Sequence, residues 1–102
     1  MSVTKQEIEI TNRFFQAVEA LKNQGRVKSL RQIMTMYGLN YGNTFSTKKN
    51  PELSRLRIDV LANLCKDFGI STEWLMLGVE PMFADQKTLK VRNNYIKMNF
   101  QD

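Results

Sequence analysis

Histidine is missing from the sequence, and cysteine occurs only once, at position 65. Without histidine the chain lacks the commonest general base and metal ligand of proteins. A single cysteine can form neither an internal disulfide nor a zinc site built from several thiolates. We therefore expect no enzymatic activity, no metal and no cofactor, with Cys65 serving as a core residue in a reducing, cytoplasmic environment.

Long apolar runs and nucleotide-binding glycine loops are missing as well. No apolar stretch of the sequence approaches the roughly 20 residues that cross a bilayer. The first ten residues lack the charged-then-apolar order of a signal peptide. Gly38 and Gly42 do not match a phosphate-binding loop. These absences predict a soluble protein with no membrane partner and no evident small-molecule ligand.

The positive charge of the chain is concentrated in its middle. The 102 residues, 42% of them hydrophobic, suffice for one domain with a modest core and carry a net charge of +5. Residues 22–57 hold eight lysines and arginines against one glutamate, whereas residues 58–86 hold one lysine against five acidic residues. Such a concentration is typical of a surface that binds a polyanion, and a solvated basic face is the alternative.

Apolar spacing and capping residues predict five helices, of which three lie in the first half of the chain. We expect the first over residues 5–23, behind a capping box that starts at Thr4. The second should follow a cap at Ser29 and end at Gly38 after about nine residues, too short to be stable without packing. The third should span residues 40–48.

Two more helices are predicted in the second half. The fourth should follow a cap at Ser54 and bury one apolar stripe: Ile58, Leu61, Leu64, Cys65 and Phe68. The fifth should cover residues 72–77 behind a cap at Ser71, with Trp74 and Leu75 inside. Further residues that we expect in the core are Phe14, Phe15, Met34 and Met36.

A tail of residues 84–102 follows the predicted helical domain of residues 5–83. Ile96, Met98 and Phe100 alternate with polar residues in this tail, as they would in a half-buried strand. A single strand needs a partner. We interpret the tail either as a dimer contact or as a flexible basic extension.

Two segments carry a resemblance to a known family. They are Ser29-Leu-Arg-Gln-Ile-Met-Thr-Met-Tyr-Gly-Leu39 and Leu64-Cys-Lys-Asp-Phe-Gly-Ile-Ser-Thr-Glu-Trp-Leu-Met-Leu-Gly78, the latter followed by Glu80-Pro-Met-Phe83. Together they resemble the helix-turn-helix DNA-binding domains of the Cro and phage-repressor type, found in bacterial and prophage regulators. The resemblance covers roughly residues 10–83. It implies an all-α fold, a compact five-helix bundle in which the third helix enters the DNA.

The chain departs from the family pattern at three places. Met34 stands where many members have a small alanine, and Leu30 stands where many have a phosphate-binding glutamine. Six positions after the turn glycine, Gly38, the family usually has an aliphatic core residue, but here Thr44 is followed by Phe45. With Phe45 as the core residue, the third helix would carry one extra residue and its outward face would be rotated.

The resemblance also implies which side chains touch a duplex. We expect base contacts from the first turns of the third helix, because amides and hydroxyls can read the major groove; these residues are Asn40, Tyr41, Asn43 and Thr44. Asn43 is expected to bind adenine through both atoms of its amide. Phosphate contacts are expected from Ser29, Arg31, Gln32, Ser46, Thr47, Lys48 and Lys49.

These candidates have structural alternatives. Asn40 and Gly42 also fit an ordinary turn, Ser29 fits a helix cap, and Tyr41 could pack inward. Lysines on a loop are ordinarily solubilising residues.

The function that follows is sequence-specific binding of double-stranded DNA by a transcriptional regulator. We expect a homodimeric repressor that inserts its third helix in the major groove. The alternative from another class is a protein-interaction module, antirepressor or antitoxin-like, which keeps the fold but binds a protein partner.

Overall fold

The computed structural model describes residues 3–84, which form a compact all-α body of five helices. These are α1 (Lys5–Asn23), α2 (Leu30–Tyr37), α3 (Tyr41–Lys49), α4 (Ile58–Phe68) and α5 (Thr72–Leu77). The described part contains no strand, but Ile70 and Phe83 form an isolated antiparallel bridge. The predicted all-α, five-helix architecture is confirmed. The predicted tail, except for Ala84, lies outside the described residues.

The first helix begins with the capping box that its sequence predicts. The Thr4 hydroxyl accepts a hydrogen bond from the Glu7 amide at 3.1 Å, and the Glu7 carboxylate accepts one from the Thr4 amide at 2.9 Å. These two bonds satisfy backbone donors that a helix start leaves unpaired. The Thr4 amide, together with the ion pair to Arg55, lowers the pKa of Glu7.

One core joins the helices. Its α1 side is an apolar stripe with Phe14 and Leu21 fully buried, and the rings of Phe14 and Phe15 meet edge to face at 5.1 Å. The other helices contribute Ile33, Met34, Val60, Leu61, Leu64, Trp74 and Leu75. Because α2 and α5 are too short to be stable alone, this burial holds them in place.

The last helix is also fixed to the first by a side chain. The Arg13 guanidinium donates hydrogen bonds to the carbonyl oxygens of Leu75, at 2.7 Å, and Met76, at 3.0 Å. The last carbonyls of a helix lack partners within it, so a cation there is favourable. Ser71 caps the other end of α5 as predicted, accepting a bond from the Trp74 amide.

Three expectations for the core are wrong. α4 starts at Ile58 with Arg57 as its cap position, and no side-chain bond caps it, so Ser54 is not the cap. Ile58, the first residue of α4, is 79% exposed, and Val60 rather than Ile58 lies in the core. Met36 is also exposed. Cys65 and Phe68, only half-buried, pack against the edge of the core, where burial raises the pKa of the Cys65 thiol.

A glycine ends α2 and sets the direction of α3. Gly38 adopts the left-handed conformation at φ 64°. The Leu39 amide donates to the Met34 carbonyl at 2.8 Å and the Gly38 amide to the Thr35 carbonyl at 3.4 Å. This pair of bonds is a Schellman motif, which satisfies free carbonyls at the helix end. The chain then leaves α2 sharply enough for α3 to start three residues later.

The two glycines of this region should respond oppositely to alanine. Gly38→Ala should destabilise the protein by about 1–2 kcal/mol, because an L-residue is strained in the left-handed conformation. Gly42→Ala should stabilise it by about 0.5–1 kcal/mol, because glycine weakens a helix. An added Cβ at Gly42 would meet only Asn40 Oδ1 at 3.4 Å, an ordinary contact. Urea unfolding measures both, and equal effects would contradict the assigned turn.

Candidate nucleic-acid interface

The third helix starts one residue later than predicted because Asn40 caps it. Asn40 Oδ1 accepts a hydrogen bond from the Asn43 amide at 2.9 Å, and its backbone is extended. The carboxamide oxygen of Asn40 is therefore engaged within the protein. Asn40 is thus a helix cap rather than an ordinary turn residue, and its exposed amide nitrogen is left for a ligand.

Two threonines form the inner face of α3. Thr44 and Thr47 are only 4% and 5% exposed. The Thr47 hydroxyl donates to the Asn43 carbonyl oxygen at 2.9 Å and shares a second hydrogen bond with the Ser54 hydroxyl. No apolar residue of α3 is buried. The side chains by which α3 packs against the body are thus short and polar, and the helix has no buried hydrophobic stripe.

This burial corrects two site predictions. Thr44 cannot reach a base and Thr47 cannot reach a phosphate, because neither side chain is accessible to a ligand. Thr44 occupies the inward position six residues after Gly38, and Phe45 lies outside, 43% exposed. Phe45 is therefore not the core residue, and α3 carries no extra residue.

The outward face of α3 is consequently defined by the residues opposite the two threonines. Four exposed residues at spacings of three, four and seven share this face, which we call the α3 stripe: Gly42, Phe45, Ser46 and Lys49. Tyr41, Asn43 and Lys48 are exposed on its flanks. Ser46 and Lys49 thus lie on the most accessible line of the helix. Lys48 faces α1 and lines a shallow hollow there with Glu19.

Two predicted contact residues from different helices meet beside this stripe. The Arg31 guanidinium of α2 lies over the Tyr41 ring of α3, 5.3 Å from its centre. The hydroxyls of Tyr41 and Thr35 share a hydrogen bond of 3.0 Å. Tyr41 is 43% exposed, so it does not pack inward. These contacts hold both side chains in one orientation before any ligand arrives.

The start of α2 uses Ser29 and Gln32 for its own capping. Ser29 Oγ accepts from the Gln32 amide at 3.4 Å, and Gln32 Oε1 accepts from the Lys28 amide at 2.7 Å. The Ser29 cap is therefore formed as predicted, and the Gln32 side chain bonds back to the residue before Ser29. Gln32 is exposed and Ser29 half-buried. Ser29 therefore acts as a helix cap, which was the structural alternative to a phosphate contact.

The end of α2 is fixed to α4 by polar contacts. The Tyr37 hydroxyl donates to the Asp67 carboxylate at 2.9 Å, and Arg57 donates to the Tyr37 carbonyl oxygen at 3.0 Å. Burial of the phenol, together with the nearby Asp67 charge, raises the pKa of Tyr37 well above its usual range. The Tyr37 phenol therefore stays protonated and donates its hydrogen bond to Asp67, which holds the end of α2 against α4.

The basic residues of the central stretch divide into two groups. Arg55 and Arg57 pair with Glu7 and Asp59. Arg26 donates to the Phe68 carbonyl and stacks over two aromatic rings. Within residues 3–84, ion pairs involve none of the cations around the α3 stripe, which are Lys28, Arg31, Lys48 and Lys49. Lys5, Lys22 and Lys66 are exposed elsewhere and are also in no ion pair with a residue of this range, so four of these seven cations lie on or next to α2 and α3.

Sequence reasoning missed Phe45 as a surface residue. It lies at the middle of the α3 stripe, between Gly42 and Lys49, with the Tyr41 ring one turn before it. The pattern of the resembled family could have predicted this exposure. With Thr44 at the core position six residues after Gly38, the next residue is rotated outward by about 100°.

Comparison with protein-family models, curated proteins and solved structures gives no match for the chain. Within residues 3–84, no group of three or more side chains is arranged to hold a metal ion. No helix of this described range is long and apolar enough to cross a membrane. The chemistry of the candidate site therefore rests on its own geometry and charge.

The two asparagines of α3 should separate a capping role from a surface role. Asn40→Ala should cost about 1 kcal/mol of stability, because the Asn43 amide loses its partner. Asn40→Asp should retain most of that stability, since a carboxylate also caps. Asn43→Ala, the control, should change stability by less than about 0.5 kcal/mol. Urea unfolding checks the difference, and an equal cost for both alanines would contradict the capping assignment.

Proposed function

We propose that the protein is a transcriptional regulator of the helix-turn-helix type that binds double-stranded DNA sequence-specifically, with α3 in the major groove. The observation that carries the proposal is the exposed α3 stripe, surrounded by cations that lack ion pairs among the described residues. A polyanion would supply the missing negative charge. The fixed inner face of α3 would keep the stripe in register with the bases.

The dimensions of α3 suit this role. With its side chains a helix is about 10–12 Å across, which fits a major groove about 12 Å wide, and the nine residues of α3 span about 13 Å along its axis. Helices of this motif present their first turns to base edges. In that pose Asn43 and Tyr41 would face bases, and the Asn43 amide could pair with adenine through both its atoms.

The phosphate contacts would come from both helices. Arg31 at the start of α2 would bind the backbone on one side, while Ser46 and Lys49 would bind it further along α3. Arg31 is already oriented by the Tyr41 ring, so less side-chain freedom is lost on binding. Gln32 and Lys48 are exposed and could add further contacts.

As a regulator the protein would act as a homodimer on two half-sites about one helical turn apart. Residues 84–102 are the segment that the sequence offers for the dimer contact. Occlusion of a promoter in the cytoplasm is the simplest mode of action for such a protein, and this step rests on analogy with the family.

Duplex binding should depend steeply on salt. The logarithm of the association constant should fall by roughly 0.9 per phosphate contact for each tenfold rise in salt. Arg31→Ala and Lys49→Ala should each reduce that slope by about 1 and weaken all sequences alike. Lys66→Ala, an exposed lysine on α4, is the matched control and should leave the slope unchanged. Fluorescence anisotropy with duplexes selected from a random pool measures these quantities.

Base selection gives a second readout in the same experiment. Asn43→Ala should relax the preference at one position, at a cost of about 1–3 kcal/mol on the preferred base alone. Absence of duplex binding at low salt would overturn the proposal. Equal losses on selected and random duplexes would instead remove Asn43 from base reading.

A protein-interaction module is the second candidate, and a different surface favours it. A groove of about 310 Å³ runs between α1, α4 and α5, lined mainly by apolar side chains that include Ile10, Leu61 and Met76. Ile58 lines it as well and is 79% exposed. Exposed apolar surface of this kind is typical of protein contacts.

The two candidate functions respond differently to Ile58→Asp. A charge in this groove should greatly weaken capture of a protein partner, because the carboxylate would lose its water against a mainly apolar lining. On the DNA-binding proposal, affinity for a single half-site duplex should change by less than about twofold, since this exposed site lies outside α2 and α3. Co-purification and anisotropy measured side by side decide between them.

A further inference from the structure

The centre of the α3 stripe is apolar although the candidate ligand is a polyanion. Phe45 is 43% exposed there, and Tyr41, on the same side of the helix one turn before, is equally exposed. Of the polar residues expected to read bases, Thr44 is buried and Asn40 uses its oxygen to cap the helix, which leaves its exposed amide nitrogen for a ligand. A phenyl ring therefore lies in the middle of the face that would meet the base edges.

The chemistry of the major groove limits what such a ring can face. Among the four bases, thymine alone presents a methyl group on its groove edge, whereas guanine, adenine and cytosine present hydrogen-bonding groups and single C–H groups there. A ring pressed against donors and acceptors removes their water and gives no hydrogen bond in return. Against a methyl group the same ring buries apolar surface on both sides, which is favourable.

Tyr41, the aromatic neighbour of Phe45 on the helix surface, is held by two contacts to α2. Tyr41 is held by the Arg31 guanidinium over its face and by the Thr35 hydroxyl at its tip. Tyr41 and Phe45 lie four residues apart and so are neighbours on the helix surface. Tyr41 therefore lies on the side of α3 that faces α2, and Phe45 follows it one turn later.

We infer that Phe45 is a specificity-determining residue that selects thymine through its methyl group, so that the bound half-site contains a thymine opposite the middle of α3. This inference rests on the proposed function. It adds an apolar contact from the middle of the α3 stripe to the amide contact assigned to Asn43 on its flank.

Replacing thymine by deoxyuridine tests the inference, because it removes the methyl group and keeps every hydrogen-bonding atom. In a duplex selected from a random pool, each thymine is replaced in turn. At one position of each half-site, wild-type affinity should fall about fourfold, which is the roughly 0.8 kcal/mol of one buried CH₂-sized group converted at 1.4 kcal/mol per tenfold.

Variants at Phe45 connect the loss to this ring. Phe45→Ala should bind the thymine and uracil duplexes equally, and Phe45→Gln should lose thymine from that position when the selection is repeated. Val79→Ala removes an apolar side chain of similar exposure outside α2 and α3 and should keep the full discrimination. Circular dichroism establishes that each variant is folded, as the exposure of Phe45 leads us to expect.

The outcomes separate this inference from the function on which it rests. Duplex binding with equal affinity for thymine and uracil at every position would overturn the role of Phe45 and leave the DNA-binding proposal standing. Discrimination that persists in Phe45→Ala would do the same. No duplex binding at low salt, or equal binding of the single strands, would overturn both.

Discussion

The burial of Thr44 and Thr47 against the body is the constraint on which the candidate site depends. Because α3 has no buried apolar residue, these two side chains determine how the helix is rotated. The second hydrogen bond of Thr47, to Ser54, connects that rotation to the segment after the helix. Burial of both threonines therefore turns this side of α3 inward and the opposite side toward solvent. The accessibility of Phe45 and Lys49 follows from it.

The arginines of the protein have two different roles, which the net charge of the chain does not distinguish. Arg13 and Arg26 bind backbone carbonyls and Arg57 binds both a carbonyl and a carboxylate, so all three stabilise the fold. Arg31 instead lies on the surface over an aromatic ring. Guanidinium groups suit both tasks because they offer several donors in one plane. The charge available to a ligand is therefore smaller than the sequence count, but it is concentrated around α2 and α3.

Features determined by local sequence could be predicted, and features determined by packing could not. The Thr4 cap, the Gly38 turn and the Ser71 cap depend on residues three to five positions apart, and local sequence predicts all three. The start of α4 was placed too early because Ser54 resembles a cap but bonds to Thr47 across the chain. The outward face of α3 was ambiguous because its own residues show almost no apolar periodicity. The inner face could be assigned only once the neighbours of Thr44 were known.

Because α3 packs through threonines, transfer of the site to another protein requires residues outside the helix. The α3 stripe alone, placed on another scaffold, would lack the partners that orient it, since the Asn40 cap and the Ser54 hydroxyl lie outside the helix. Any transplant has to move residues 40–54 as one unit, with an acceptor surface shaped for two threonines. Binding of a new target can evolve more easily, because residues of the α3 stripe can be substituted without changing the buried threonines on the opposite side of the helix.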